Sequence, residues 1–219
     1  MKYYDKIYQD TLRKSEITAF NANAYLIAIG TRDGSVTLFD IDGNHNSNMP
    51  SWKHKAACLC IIMDEKGEIF GSCSEDGEVK INSLFGDEEV EQKMKFRSPV
   101  SAISFSPDYK DSGKIVVGTE KVTLCEKGLL GSKKTTTIAV GVQGKISKID
   151  WSFSDTIIWA DYKDIKIFDM NKRETISIIP RQNSELNPQH FKCNFFWNQK
   201  QELIIAWGDY IQICKMIMT

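Results

Sequence analysis

Most features that betray a compartment or a chemistry are scarce in this 219-residue chain. Its longest uninterrupted apolar run, residues 56–63, is eight residues long, whereas a bilayer-spanning helix needs roughly 20. The N-terminus MKYYDKIYQD is polar and carries both charge signs, so it lacks the apolar core of a secretory signal. No Asn-x-Ser/Thr sequon occurs. Net charge is equally scant: 28 basic against 29 acidic residues leave −1. So balanced a chain projects no field to hold nucleic acid or an anionic membrane, which leaves protein as the expected partner class. The six cysteines (Cys58, Cys60, Cys73, Cys125, Cys193, Cys214) are scattered, mostly inside apolar runs. That suits reduced, buried thiols of a cytoplasmic protein better than a disulfide framework.

Catalytic motifs are missing too. Residues 128–134 (GLLGSKK) and 141–145 (GVQGK) carry glycine and lysine but not the GxxxxGK[ST] spacing that wraps backbone amides round a phosphate. Cys58 and Cys60 stand two apart, yet no Cys-x-x-Cys or His-x-x-x-His completes a metal site, and core packing is the expected role. His45, His54 and His190 fall in polar stretches that read as loops, none beside a Ser or Cys nucleophile in a recognisable triad motif. Lys53-His54-Lys55 and Lys133-Lys134 are too sparse for a nucleic-acid surface. The acidic run 87–91 (DEEVE) reads as a solvated hairpin tip, with a docking site for a basic partner as the alternative. Residues 42–55 form a long polar connection that either hides a distorted strand around Trp52 or presents a recognition loop. No catalytic, cofactor-binding or metal residue is therefore nominated, and no cofactor is expected.

What is present is a repeat. GTRDGSVTLFD (30–40) and CSEDGEVKINS (73–83) share a polar Asp-Gly turn followed by alternating apolar residues. Val36, Val79, Val122 and Ile165 follow one another at steps of 43, and Ile211 comes 46 further on, each opening an alternating run. Two short runs rich in Val, Ile, Thr and aromatics precede each of these residues, and a fourth follows in the middle units. Nothing long shows helical periodicity. Four short antiparallel strands every ~40–45 residues predict a β-propeller; a β-sandwich has no reason to repeat at that interval. The expected fold is all-β, a WD-repeat-type propeller of about five four-stranded blades, roughly residues 15–55, 56–97, 98–141, 142–181 and 190–219. The last unit is short of a fourth strand, and residues 2–8 are the expected donor of a closing strand. The alternative is an incomplete arc of a larger propeller.

The segments 30–44, 73–79, 105–121, 165–181 and 203–214, with Trp151, Trp159, Trp197 and Trp207, together resemble the N-terminal propeller of the vacuolar protein sorting-associated protein 41 family. The likeness runs in one register from about Lys2 to Lys215. The Trp-Asp dipeptide of WD repeats is absent, Phe39-Asp40 and Phe168-Asp169 standing in its place. The resemblance implies a non-enzymatic subunit of the homotypic fusion and vacuole protein sorting (HOPS) tethering complex. It would be cytoplasmic and peripheral on late endosome, vacuole or lysosome membranes, acting in vesicle-mediated protein transport and fusion. Its implied partners are the other tethering subunits, Rab-type small GTPases and SNARE proteins. The family continues into further blades, helical repeats and a C-terminal zinc domain that these residues do not contain, so the chain is expected to be a fragment or a short relative. The competing readings are a generic WD-repeat adaptor unrelated to trafficking, and a propeller enzyme with acids or histidines converging on a central channel.

Overall fold

The computed structural model describes residues 15–42, 51–64, 66–84, 92–127, 133–140, 142–153, 155–182, 186–187, 189–198 and 202–215. These form five separate antiparallel sheets, each a meander in chain order. Blade 1 comprises β1 (Ile17–Ala22), β2 (Leu26–Thr31), β3 (Ser35–Asp40) and β4 (Trp52–Lys53). Blade 2 comprises β5 (Cys58–Met63), β6 (Ile69–Ser74), β7 (Glu78–Ser83) and β8 (Gln92–Lys95). In blade 3, β9 (Ala102–Phe105) is followed by the one-turn α1 (Tyr109–Ser112), then β10 (Ile115–Gly118), β11 (Val122–Lys127) and β12 (Lys133–Ala139). Blade 4 holds β13 (Lys148–Phe153), β14 (Thr156–Ala160), β15 (Asp164–Asp169) and β16 (Glu174–Pro180). Blade 5 has three strands among the described residues, β17 (Cys193–Trp197), β18 (Glu202–Trp207) and β19 (Tyr210–Lys215). The architecture is the five-bladed β-propeller read from the repeat. The chain divides into two compact units, Met1–Ile103 and Ser104–Thr219. The closing strand expected from residues 2–8 lies outside the described residues, as does the acidic run 87–91.

Each blade is too small to hold a core of its own, so its faces are buried by stacking. In the first unit, Ala19, Leu26, Ala28, Val36, Leu38 and Trp52 of blade 1 share one apolar cluster with Cys58, Ile61 and Phe70 of blade 2. In the second unit, Ile158, Ala160, Ile165 and Ile167 of blade 4 pack with Cys193, Phe195, Leu203, Ile205 and Trp207 of blade 5. Burying one such side chain contributes about 1.5–3 kcal/mol. The contacts are close because one residue of each second strand is small. A Cβ added to Gly30 would sit 2.6 Å from Cys58 Sγ, and one on Gly118 would sit 2.9 Å from Ile149 Cδ1. Side chains stitch the first strands together as well: Thr18 Oγ1 donates to the Cys58 carbonyl at 2.6 Å, and Asn21 Nδ2 to the Ile61 carbonyl at 2.9 Å.

The Asp-Gly turns between second and third strands carry a second constraint. Gly34 and Gly77 adopt φ of 89° and 81°, a region that side chains other than glycine avoid. They also receive the chain leaving each fourth strand: His54 N donates to Gly34 O at 2.9 Å, and Phe96 N to Gly77 O at 2.8 Å. A Cβ on Gly34 would lie 2.4 Å from the His54 carbonyl oxygen, and one on Gly77 2.6 Å from that of Phe96. Gly34→Ala and Gly77→Ala are therefore each expected to destabilise the protein by about 2 kcal/mol or more. Urea unfolding is the measurement, and a midpoint equal to wild type would contradict the account.

Candidate functional site

A cluster of polar side chains lies buried where blade 1 hands over to blade 2. The alternation Trp52-Lys53-His54-Lys55 continues past the two-residue strand β4, turning Trp52 and His54 inward and both lysines outward. Trp52 is 4 % exposed and His54 2 %. Both meet one hydroxyl on the central strand of blade 2. Trp52 Nε1 donates to Ser72 Oγ at 2.7 Å, and His54 Nε2 lies 2.7 Å from the same oxygen. Since Ser72 Oγ accepts from the indole, its single O–H is best used toward Nε2. That assignment leaves the imidazole proton on Nδ1, facing Asp76 Oδ2 at 3.8 Å.

Asp76 holds the turn that follows. Its Oδ2 accepts from Lys55 N and its Oδ1 from Glu78 N, both at 2.7 Å. Burial pushes its carboxyl pKa up, but those amides, the His54 ring and Lys95 outweigh it and leave the group below its ordinary value. Glu78 is 5 % exposed; burial raises its pKa too, and the lysines, chiefly Lys93 at 2.9 Å with Lys95 at 3.8 Å, bring it below the usual range. Lys80, also buried, donates to the Lys53 carbonyl. Burial is the main influence on His54, and it lowers the ring's pKa to about 4 despite the pull of Asp76 in the other direction. His54 is thus neutral at physiological pH.

His54, Asp76 and Glu78 place three potential metal-ligand atoms within 4.8 Å of one another. The two carboxylates already have partners, however, and only His54 Nδ1 lacks a hydrogen bond. Both Asp76 oxygens receive backbone amides, and Glu78 receives two ammonium groups. Such a set acts as a structural clasp between a fourth strand and the next blade. A related device recurs in blade 4, where buried Asp161 accepts from the amides of Lys163, Asp164 and Gln143 and from Lys166 Nζ.

His54 lies in the connection just past β4, in keeping with its polar stretch, but its ring is buried. The period-two alternation through residues 52–55 was the signal that could have found it. The strand suspected around Trp52 is real, though only two residues long. Cys58, Cys73, Cys125 and Cys193 are buried, while Cys60 and Cys214 are half-buried. Burial pushes the Cys58 and Cys193 thiols up to about 12, so both stay protonated. Cys58 and Cys60 point to opposite faces, because the register shift between them sets Cys58 opposite Ser74 and Cys60 opposite Cys73. His190 is exposed and Lys134 lies near Glu126 at 3.9 Å. His45 and residues 128–132 lie outside the described residues. No described helix is long and apolar enough to cross a membrane.

Comparison with known proteins adds to this geometry. The family model described as a Vps42 beta-propeller, and named for Vps41, matches residues 2–219. The chain is 30 % identical over 94 % of its length to the Vps41 homolog of Mus musculus and 32 % identical over 88 % to that of Arabidopsis thaliana. To Vps41 of Schizosaccharomyces pombe it is 25 % identical over 97 %. The chain spans 24 % of the mouse and fission-yeast relatives and 20 % of the plant one. Among solved structures, the β-propeller domain of Myceliophteria thermophila Cps50 (Swd1) superposes with a TM-score of 0.71 at 15 % identity, covering 90 % of this chain and 64 % of that one. At that identity the likeness concerns the fold alone.

Two outcomes test the clasp. Ser72→Ala strands the indole N–H and the imidazole together, and is expected to cost about 2 kcal/mol or more in urea unfolding. For pH, His54 binds its proton near 4 when folded and near 6.5 when unfolded. The unfolded state therefore binds more protons between those values, and the stabilisation, full above pH 6.5, is lost as pH falls to about 4. The loss is on the order of 3 kcal/mol. The slope of stability against pH in this window should flatten in His54→Gln; an unchanged slope would remove His54 as its source.

Proposed function

The chain belongs to the Vps41 β-propeller family, and from that premise we propose that it serves vacuolar protein sorting as a non-catalytic protein-interaction platform of a tethering complex. The observation that carries the reading is the match of one family model to residues 2–219. The surface chemistry supports it. The outer strand β16 is exposed at six of its seven positions and the described part of β12 at four, offering strand edges and mixed polar side chains to partners. The buried acids of the clasp are taken up by backbone amides and lysines, which favours a binding role over a catalytic one. On this reading the partners are other HOPS-type subunits, Rab-type small GTPases and SNARE proteins, and the chain is cytoplasmic, reaching late endosome, vacuole or lysosome membranes through them.

The test is direct binding. Purified chain is titrated against purified tethering subunits and against Rab-type GTPases loaded with either nucleotide. Saturable binding to at least one of them is expected. Failure to bind any, by a chain shown to be folded by circular dichroism, would remove the tethering role and leave a generic adaptor.

A further inference from the structure

Across the blades, one spot on the second strand is filled by a small residue facing the repeat valine or isoleucine. It is Gly30 opposite Val36, Gly118 opposite Val122, Ala160 opposite Ile165 and Ala206 opposite Ile211. Blade 2 alone departs from this, placing Cys73 there opposite Val79. The first-strand residue paired with the spot is Ala19 in blade 1, Lys148 in blade 4 and Asn194 in blade 5. In blade 2 it is Cys60. Glycine or alanine meets the steric need in four blades, so packing does not require a thiol here, still less two facing each other.

The pairing sets these two sulfurs side by side. Directly opposite residues of antiparallel strands have Cα atoms about 4.5–5.5 Å apart, inside the roughly 4.4–6.8 Å that a disulfide spans. The thiols are near enough to hydrogen bond, an influence that follows burial in holding Cys73 well above its ordinary pKa. Their access to solvent differs: Cys73 is fully buried, whereas Cys60 is half-buried. Cys58 is turned to the opposite face, where its sulfur packs on Gly30. Cys125, Cys193 and Cys214 belong to the other compact unit.

We infer that Cys60 and Cys73 are an oxidation site that takes hydrogen peroxide and closes to an intrachain disulfide. The Cys60 thiolate, its proton given to water, attacks one peroxide oxygen. The O–O bond breaks, and the departing hydroxide takes a proton to leave as water, so that Cys60 becomes a sulfenic acid. The Cys73 sulfur then attacks the Cys60 sulfur, the S–O bond breaks, and the departing hydroxide carries off the Cys73 proton as water. Two thiols and one peroxide become one disulfide and two waters, and a dithiol reductant reverses the change. The bond joins residues thirteen apart in the chain and so restricts the unfolded state. It also pins the β5–β6 hairpin in the register that presents Cys58 to Gly30 and Ser72 to Trp52 and His54. Peroxide thereby tightens the union of blades 1 and 2.

The test treats the reduced 219-residue chain with hydrogen peroxide at a level that leaves its circular dichroism unchanged. The product is alkylated and digested without reductant for mass spectrometry. A peptide pair linked through Cys60 and Cys73 is expected, and dithiothreitol should remove it. Cys73→Ala supplies the residue that blades 4 and 5 carry at this spot, so it should fold. Lacking the resolving thiol, it should trap about tenfold more dimedone-reactive sulfenic acid at Cys60 than wild type. Cys60→Ser should give no link and leave Cys73 unoxidised. Oxidation should raise the urea midpoint of wild type and leave that of Cys73→Ala where it was. Absence of the link in folded wild type overturns the inference, as does a link through Cys58 in its place or oxidation of Cys73 in Cys60→Ser. So does a Cys73→Ala variant that accumulates no more adduct than wild type or gains the same midpoint shift.

Discussion

The rest of the molecule depends on an obligation that each blade cannot meet alone. A sheet of three or four short strands has two faces, and here both carry apolar residues that only a neighbouring sheet can remove from water. The close approach this requires is achieved through the small residue at the start of the stacking face. Gly30 lies so near Cys58, and Gly118 so near Ile149, that a single methyl group would push the sheets apart. Strand length, turn type and repeat interval then follow, because every blade must bring the same pair of third-strand residues to the same height. The 43-residue step is the spacing of that geometry written into the chain.

Stacking alone does not fix how one blade passes to the next, and polar groups take over there. The chain leaving β4 must cross to β5 under the Asp-Gly turns. It does so with its amides bound to Gly34 O and Asp76, and with its inward side chains bound to Ser72. Burying a charge at this crossing would be costly without a close partner, so the ring of His54 stays neutral and the charges sit on Asp76 and Glu78, where amides and lysines compensate them. The result is a rigid crossing. Rigid blades are what allow exposed connections to be held out for recognition.

The fold was legible because its chief determinant is local and periodic. A β-branched residue at Val36, Val79, Val122, Ile165 and Ile211, each preceded by a turn and followed by alternation, declares a strand without reference to anything distant. The clasp was legible only in part. Trp52 stood out as an aromatic in a polar stretch, but His54 was masked by Lys53 and Lys55, which dominate the composition although they face away. Its burial depends on Ser72 and Asp76, which reach it only through the pairing of blade 2. The difference in burial between the third strands of blades 4 and 5 was not legible at all. Ile211 and Ile165 are the same residue in the same local pattern, yet among the described residues a neighbouring sheet lies on Ile165 alone.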